Sequence, residues 1–235
     1  MDCGHPANKL GWVATGGIRL NVPGGSYLQV QGSYTEGALR YISHTQFPSG
    51  SSAHFGVGNS LGVGWLMDGI FGQSGDIELT KAWGVYASWE QVWNPKWKTS
   101  LYGGWVAVNY DDNAKALIAA STCGPIAGSG TAVFGAITAA TATGTNPVNS
   151  MASGSLSNVQ NCDPNWQTGY IGTRTQWNVT SQFYMGVDIL YTKMYTGFKG
   201  LAIYRSNNSR PSGLYNIEDQ DNLAVTFRVH RDFVL

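Results

Sequence analysis

Between residues 222 and 232 apolar and polar side chains alternate without a break. Leu223, Val225, Phe227 and Val229 fall on one side, and Asn222, Ala224, Thr226, Arg228, His230 and Asp232 on the other. A period of two is the signature of a β-strand. The same rhythm recurs upstream. Trp12, Ala14, Gly16, Ile18, Leu20 and Val22 alternate with Thr15, Arg19 and Asn21, and Leu28, Val30 and Tyr34 alternate with Gln29, Gln31, Ser33 and Thr35. Leu79, Trp83, Val85, Ala87 and Trp89 stand against Thr80, Tyr86, Ser88 and Glu90. Residues 166–177 carry Arg174 and Gln176 on their polar side, and Phe183, Met185, Val187, Ile189 and Tyr191 alternate with Gly186, Asp188 and Thr192. In residues 97–110 the pattern blurs, because Leu101 and Trp105 stand opposite Tyr102, Val106 and Val108. Seven strands are predicted, each near or above the roughly 9–11 residues that carry a tilted strand across a bilayer. The alternation alone suits a half-buried strand of a soluble sandwich as well as a wall with lipid on one side and water on the other.

The connections separate these readings. Short turns fall at 22–26, 93–96 and 178–181, whereas 40–76, 111–164 and 197–220 are far longer than hairpin loops of soluble sheets. Short turns on one side and long loops on the other are the habit of outer-membrane barrels. On this bookkeeping the stretch Ala53 to Gly69 belongs to a long external loop rather than to the wall, and 111–164 is a second such loop. Ala114 to Ala120 is the one short helical stretch expected, followed by an Ala/Ser/Thr/Gly/Asn-rich loop to Asn161. Trp89, Trp93 and Trp97 gather round one tight turn and Trp177, Phe183 and Tyr184 round another, where an interfacial aromatic girdle belongs. An unpaired strand edge in hydrocarbon costs several kcal/mol per polar group, so such strands must close into a barrel. Seven is odd and single-chain bacterial barrels are even, so these strands form part of a larger one.

Composition supports a membrane wall and excludes other classes. Charged residues make up only 12% of the 235 residues, yet no run reaches the ~18 apolar residues of a membrane helix. Lys+Arg and Asp+Glu balance at 14 each, so no basic field for nucleic acid is present. His5, His44, His54 and His230 have no metal-binding spacing, and the glycine-rich stretch 56–64 lacks the Lys-Ser/Thr of a phosphate loop. Neither a catalytic residue, a metal nor a cofactor is expected. Cys123 and Cys162 flank the longest loop and suit either a disulfide in an oxidising compartment or two reduced thiols.

Several phrases share one resemblance: 79–93 (Leu79 to Trp93), 99–105 (Thr99 to Trp105), 172–177 (Gly172 to Trp177), 183–188 (Phe183 to Asp188) and 227–233 (Phe227 to Phe233). In this order they resemble the C-terminal half of the alphaproteobacterial general porins. The resemblance implies an all-β transmembrane antiparallel barrel of sixteen strands, of which this chain supplies seven or eight as a single domain over 1–235. It also implies an outer-membrane homotrimer that passes small hydrophilic solutes and ions by passive diffusion, with further strands, a signal peptide and a constriction loop before residue 1. The chain departs from the family's Arg-Asp-Phe ending, because Val234 and Leu235 follow Phe233.

By the alternation Arg19, Glu90, Arg174, Asp188 and Arg228 share the polar side and are the candidate pore-lining charges. The bland reading is that they only solvate the interior or pair with one another, and the alternative function is a non-conducting barrel anchor that presents its loops as adhesin or antigen.

Overall fold

The structure, a computed structural model, describes residues 7–42, 53–55, 58–72, 75–122, 156–161, 163–204 and 213–233. Seven long strands form one antiparallel sheet in chain order: β1 (Trp12–Asn21), β2 (Tyr27–Glu36), β3 (Lys81–Asn94), β4 (Trp97–Asn109), β5 (Trp166–Thr180), β6 (Phe183–Tyr195) and β7 (Gln220–Arg231). They coincide with the seven alternating segments. Short connections join β1 to β2, β3 to β4 and β5 to β6. In the first, Gly24 and Gly25 take positive φ of 90° and 87°, which only glycine adopts cheaply. In the second, the Asn94 carboxamide accepts the amides of Lys96 and Trp97 at 2.9 and 3.0 Å. In this sheet β1 and β7 are the outer strands and do not pair with each other.

Cross-strand register turns the sequence alternation into rows that run across the whole sheet. Ile18, Val30, Ala87, Gly103, Ile171, Tyr191 and Leu223 are successive partners in one row. Leu20, Leu28, Trp89, Leu101, Thr173, Ile189 and Val225 form the row two residues away. These rows define an apolar face. The rows between them carry Arg19, Gln29, Ser88, Tyr102 and, one step on, Glu90, Ser100, Arg174, Asp188 and Thr226. Because the side-chain period is two, a slip of one residue in any pair would exchange the faces.

The cover lies on the polar face. Short strands at Ala53–Phe55, Ser60–Gly64, Leu156–Asn161, Lys199–Tyr204 and Gly213–Ile217 form a second sheet, with one parallel pairing between 60–61 and 216–217. Gly69–Phe71 and Ile77–Leu79 pair separately. The stretch Ala53 to Gly69 thus contributes short loop strands and no wall strand. The expected helical turn is an 11-residue helix, α1 (Asp112–Thr122), opened by the Asp111 carboxylate accepting the Ala114 amide at 2.9 Å. Leu39, Ile42, Leu61, Val63, Tyr110, Ile118, Phe198 and Ile217 pack in one buried cluster with Ala82, Val106, Val108, Trp166 and Met194 from the wall. This cap explains the blurred alternation of β4. Val106 and Val108 point to the polar side, but at the long-loop end that side is roofed, so both faces of the strand are apolar there. Burial raises the pKa of the Tyr110 phenol, which donates to the Trp65 carbonyl at 2.9 Å beside the Trp166 indole donating to the same oxygen.

Among the described residues nothing packs on the apolar face as a second layer. Leu223, Val225 and Phe227 remain 63, 67 and 65% exposed, and Ile18, Val85, Leu101 and Ile171 are exposed as well. A water-soluble sandwich would bury these positions first; here it is the polar face that is covered and the oily one that is bare. Cys123 and Cys162 lie outside the described residues, as does most of the 111–164 connection.

Trp166 is 1% exposed and hydrogen-bonded within the cap. Trp166→Ala should therefore cost about 3–5 kcal/mol, read as a lower urea midpoint of the micelle-folded protein. An unchanged midpoint would mean that the cap contributes nothing to stability.

Candidate functional site

Below the cap the polar face is arranged in tiers. The first contains Gly17, Gln31, Tyr86, Gly104, Tyr170, Thr192 and Asn222, and the next Arg19, Gln29, Ser88, Tyr102 and Gly172. The Tyr86 hydroxyl donates to the Ile42 carbonyl and so fastens the wall to the cap. The tyrosine rings lean across glycines on neighbouring strands. A Cβ on Gly104 would lie 2.6 Å from Tyr86 Cδ1 and 2.8 Å from Tyr170 Cε1, and one on Gly172 would lie 2.6 Å from Tyr102 Cζ. Any larger residue at these positions would drive the rings off the wall.

The charged tiers follow toward the short turns. Arg174 and Asp188 are direct cross-strand partners, with Nε and Oδ2 3.7 Å apart, and the Tyr102 hydroxyl donates to the other Asp188 oxygen at 2.6 Å. Glu90 meets Lys98 at 3.3 Å and accepts from the Ser100 hydroxyl at 3.1 Å. Arg228 borders the same hollow of about 310 Å³ as Glu90, Arg174 and Asp188. The Arg19 guanidinium lies 3.9 Å over the Tyr27 ring, and its Nε donates to the Asn21 carboxamide at 2.9 Å. The five charges singled out in the sequence therefore share one face, and four of them border one hollow or hold its edge. Lys98, Ser100 and Tyr102 were missed, although the parity of β4 puts all three on the side opposite Leu101.

Such half-exposed pairs contribute only about 0–1 kcal/mol each to stability. What they do is fix charge at set positions along the polar face. Arg19 in one row, Glu90, Arg174 and Asp188 in the next, and Lys98 and Arg228 in the one after give four positive charges to two negative, so the three rows together are net positive by two. His230 and Asp232 pair at 2.8 Å at the short-turn end. Among the described residues no three His, Cys, Asp or Glu side chains come together as a metal site.

The girdle candidates divide between the faces. Trp97 and Trp177 are register partners with stacked rings, 5.6 Å apart and 4° from parallel, and Trp89, Trp93 and Phe183 have the parity of the apolar face. Tyr184 has the other parity and stacks on His230 at 4.9 Å on the polar face. At the long-loop end the apolar face has a second aromatic band, with Trp12 against Tyr34 at 5.5 Å, Trp83 in the Tyr34 row, and Trp105 against Tyr195 at 5.4 Å. Trp83 and Trp93 are ten residues apart on β3, roughly 33 Å along a strand. At the usual barrel tilt of about 40° that is roughly 25 Å of height. From the Ile18 row to the Trp97–Trp177 row the rows of apolar parity carry no charged residue; Lys193 and Asp221 share the row of Trp105, one step inside that of Trp83, and Glu36 and Lys81 lie beyond it.

A family model described as the porin subfamily matches residues 2–225. Neither a curated protein nor a solved structure matches the chain.

Gly104→Val should displace the Tyr86 and Tyr170 rings and cost about 1–3 kcal/mol. Near-ultraviolet circular dichroism and the urea midpoint report it; an unaltered spectrum would show that the rings do not depend on this glycine.

Proposed function

The chain belongs to the porin family, and from that premise we propose that it forms part of the wall of an outer-membrane diffusion channel for small hydrophilic solutes and ions. The observation that carries this reading is the inside-out wall, with bare aliphatic rows on one face and ion pairs, tyrosines and amides on the other. Lipid is the medium that makes an exposed face of Ile18, Leu101, Ile171 and Val225 favourable, at about 25 cal/mol for each Å² removed from water. Two aromatic bands roughly 25 Å apart fit the apolar thickness of outer-membrane barrels. Charged side chains at that depth are tolerated where water fills the lumen.

The whole of 1–235 is one barrel domain in this reading, and 111–164 is an external loop. Strands β1 and β7 run in the same direction, because an odd number of antiparallel strands separates the first edge from the last. Closing an antiparallel barrel between them takes an odd number of further strands, consistent with an even total. The assembly is a homotrimer surrounded by outer-membrane lipid, as the likeness to general porins implies. Arg19, Glu90, Arg174, Asp188 and Arg228, with Lys98, set the field across the lumen. Trp89, Trp93, Trp97, Trp177 and Phe183 form the girdle at the short-turn interface. Cys123 and Cys162 are the pair to test for a disulfide.

Planar bilayers containing the protein purified from membranes should show stepwise conductance. Absence of conductance with retained heat-modifiable barrel mobility would instead make the barrel an anchor for its loops. The net positive charge of these three rows favours anions. Arg228→Glu and Arg174→Glu should each move the reversal potential toward cation preference, and unchanged potentials in both would place these residues away from the limiting zone.

A further inference from the structure

Between the cap and the charged tier the polar face holds a hollow of about 450 Å³, a size that takes a small organic ligand. We infer that this hollow is a saccharide-binding subsite within the channel, an inference that rests on the diffusion reading and names a solute class for it. Three tyrosines converge there from three neighbouring strands, Tyr86 on β3, Tyr102 on β4 and Tyr170 on β5. Their rings are held rather than free to swing. Tyr86 and Tyr170 lean over Gly104, Tyr102 leans over Gly172, the Tyr86 hydroxyl is tied to the Ile42 carbonyl, and the Tyr102 hydroxyl to Asp188. Beside the rings, in the same rows, Gln29 and Gln31 of β2 and Ser88 of β3 supply amides and a hydroxyl.

This combination selects a chemistry. Carboxamides and hydroxyls both donate and accept, as sugar hydroxyls do, so each pairing can be satisfied in either sense. Aromatic rings fixed along a wall match the flat C–H face of a pyranose and exclude water behind it. No carboxylate lines the hollow, which leaves a cationic ligand without a counter-charge. The one cation there, Arg19, has its guanidinium over the Tyr27 ring and its Nε donating to Asn21, and its other N–H groups can donate to sugar hydroxyls. The acids and the remaining bases begin one tier lower. A neutral ligand with an apolar ring face and many hydroxyls fits what remains.

Titration calorimetry on the protein purified from membranes, with maltose as probe and mannitol as an acyclic polyol lacking a rigid ring face, tests this. Saturable heat is expected with maltose and none with mannitol over the same concentrations. Tyr170→Ala should weaken maltose binding about three- to tenfold through loss of one ring contact. Gln31→Ala, at an exposed position whose change does not endanger the fold, should weaken it by a similar factor. Equal responses to both polyols, or maltose binding untouched by both substitutions, would overturn the subsite. Conductance in bilayers without saturable maltose binding would also overturn it and leave the channel standing; maltose binding that both substitutions weaken, in a protein that does not conduct, would support the subsite and remove the channel.

Discussion

The structure depends on one constraint: every backbone amide and carbonyl of a long strand must find its partner on the neighbouring strand, because neither lipid nor a packed side chain will supply one. The register that satisfies this condition also fixes which side chains share a row. Arg174 falls opposite Asp188 and Trp97 opposite Trp177 in the same alignment that sends Leu101, Thr173, Ile189 and Val225 to the other face. An ion pair, an aromatic stack and an aliphatic row thus agree on one register, and a slip of one residue would lose all three.

From this register the polar face acquires its tiers. Near the long loops it is apolar and roofed, because Val106, Val108, Trp166 and Met194 meet Leu61, Val63 and Phe198. Next come tyrosines and amides, then the alternating charges of Glu90, Lys98, Arg174, Asp188 and Arg228. The apolar face shows no such change with height, apart from aromatic bands near its two ends. The two faces of the wall therefore differ in kind, one uniform along its length and one structured.

Much of the wall was legible in the sequence. A period of two over ten or more residues is a strong signal, and strands β1 to β7 fall where it predicts. The face of each charged residue followed from the same parity, and so did that of Lys98, Ser100 and Tyr102, which would have been found by carrying the parity through β4. Tyr184 was grouped with Trp177 by closeness to a turn, whereas parity sets it beside His230. The cap was not legible. Its strands are only three to six residues long, and the pairing that joins its two halves, 60–61 with 216–217, spans more than 150 residues, so no local pattern announces it. The upper aromatic band was missed for a similar reason, since Trp12, Tyr34, Trp83, Trp105 and Tyr195 are brought together only by register.

The central claim, that one face of this sheet meets acyl chains and the other meets water, is tested most directly by nitroxide scanning of residues 222–229 in lipid vesicles. Oxygen accessibility should peak at Leu223, Val225, Phe227 and Val229, and accessibility to a polar nickel chelate at Asn222, Ala224, Thr226 and Arg228. An in-phase profile for the two reagents, or the opposite phase, would contradict it.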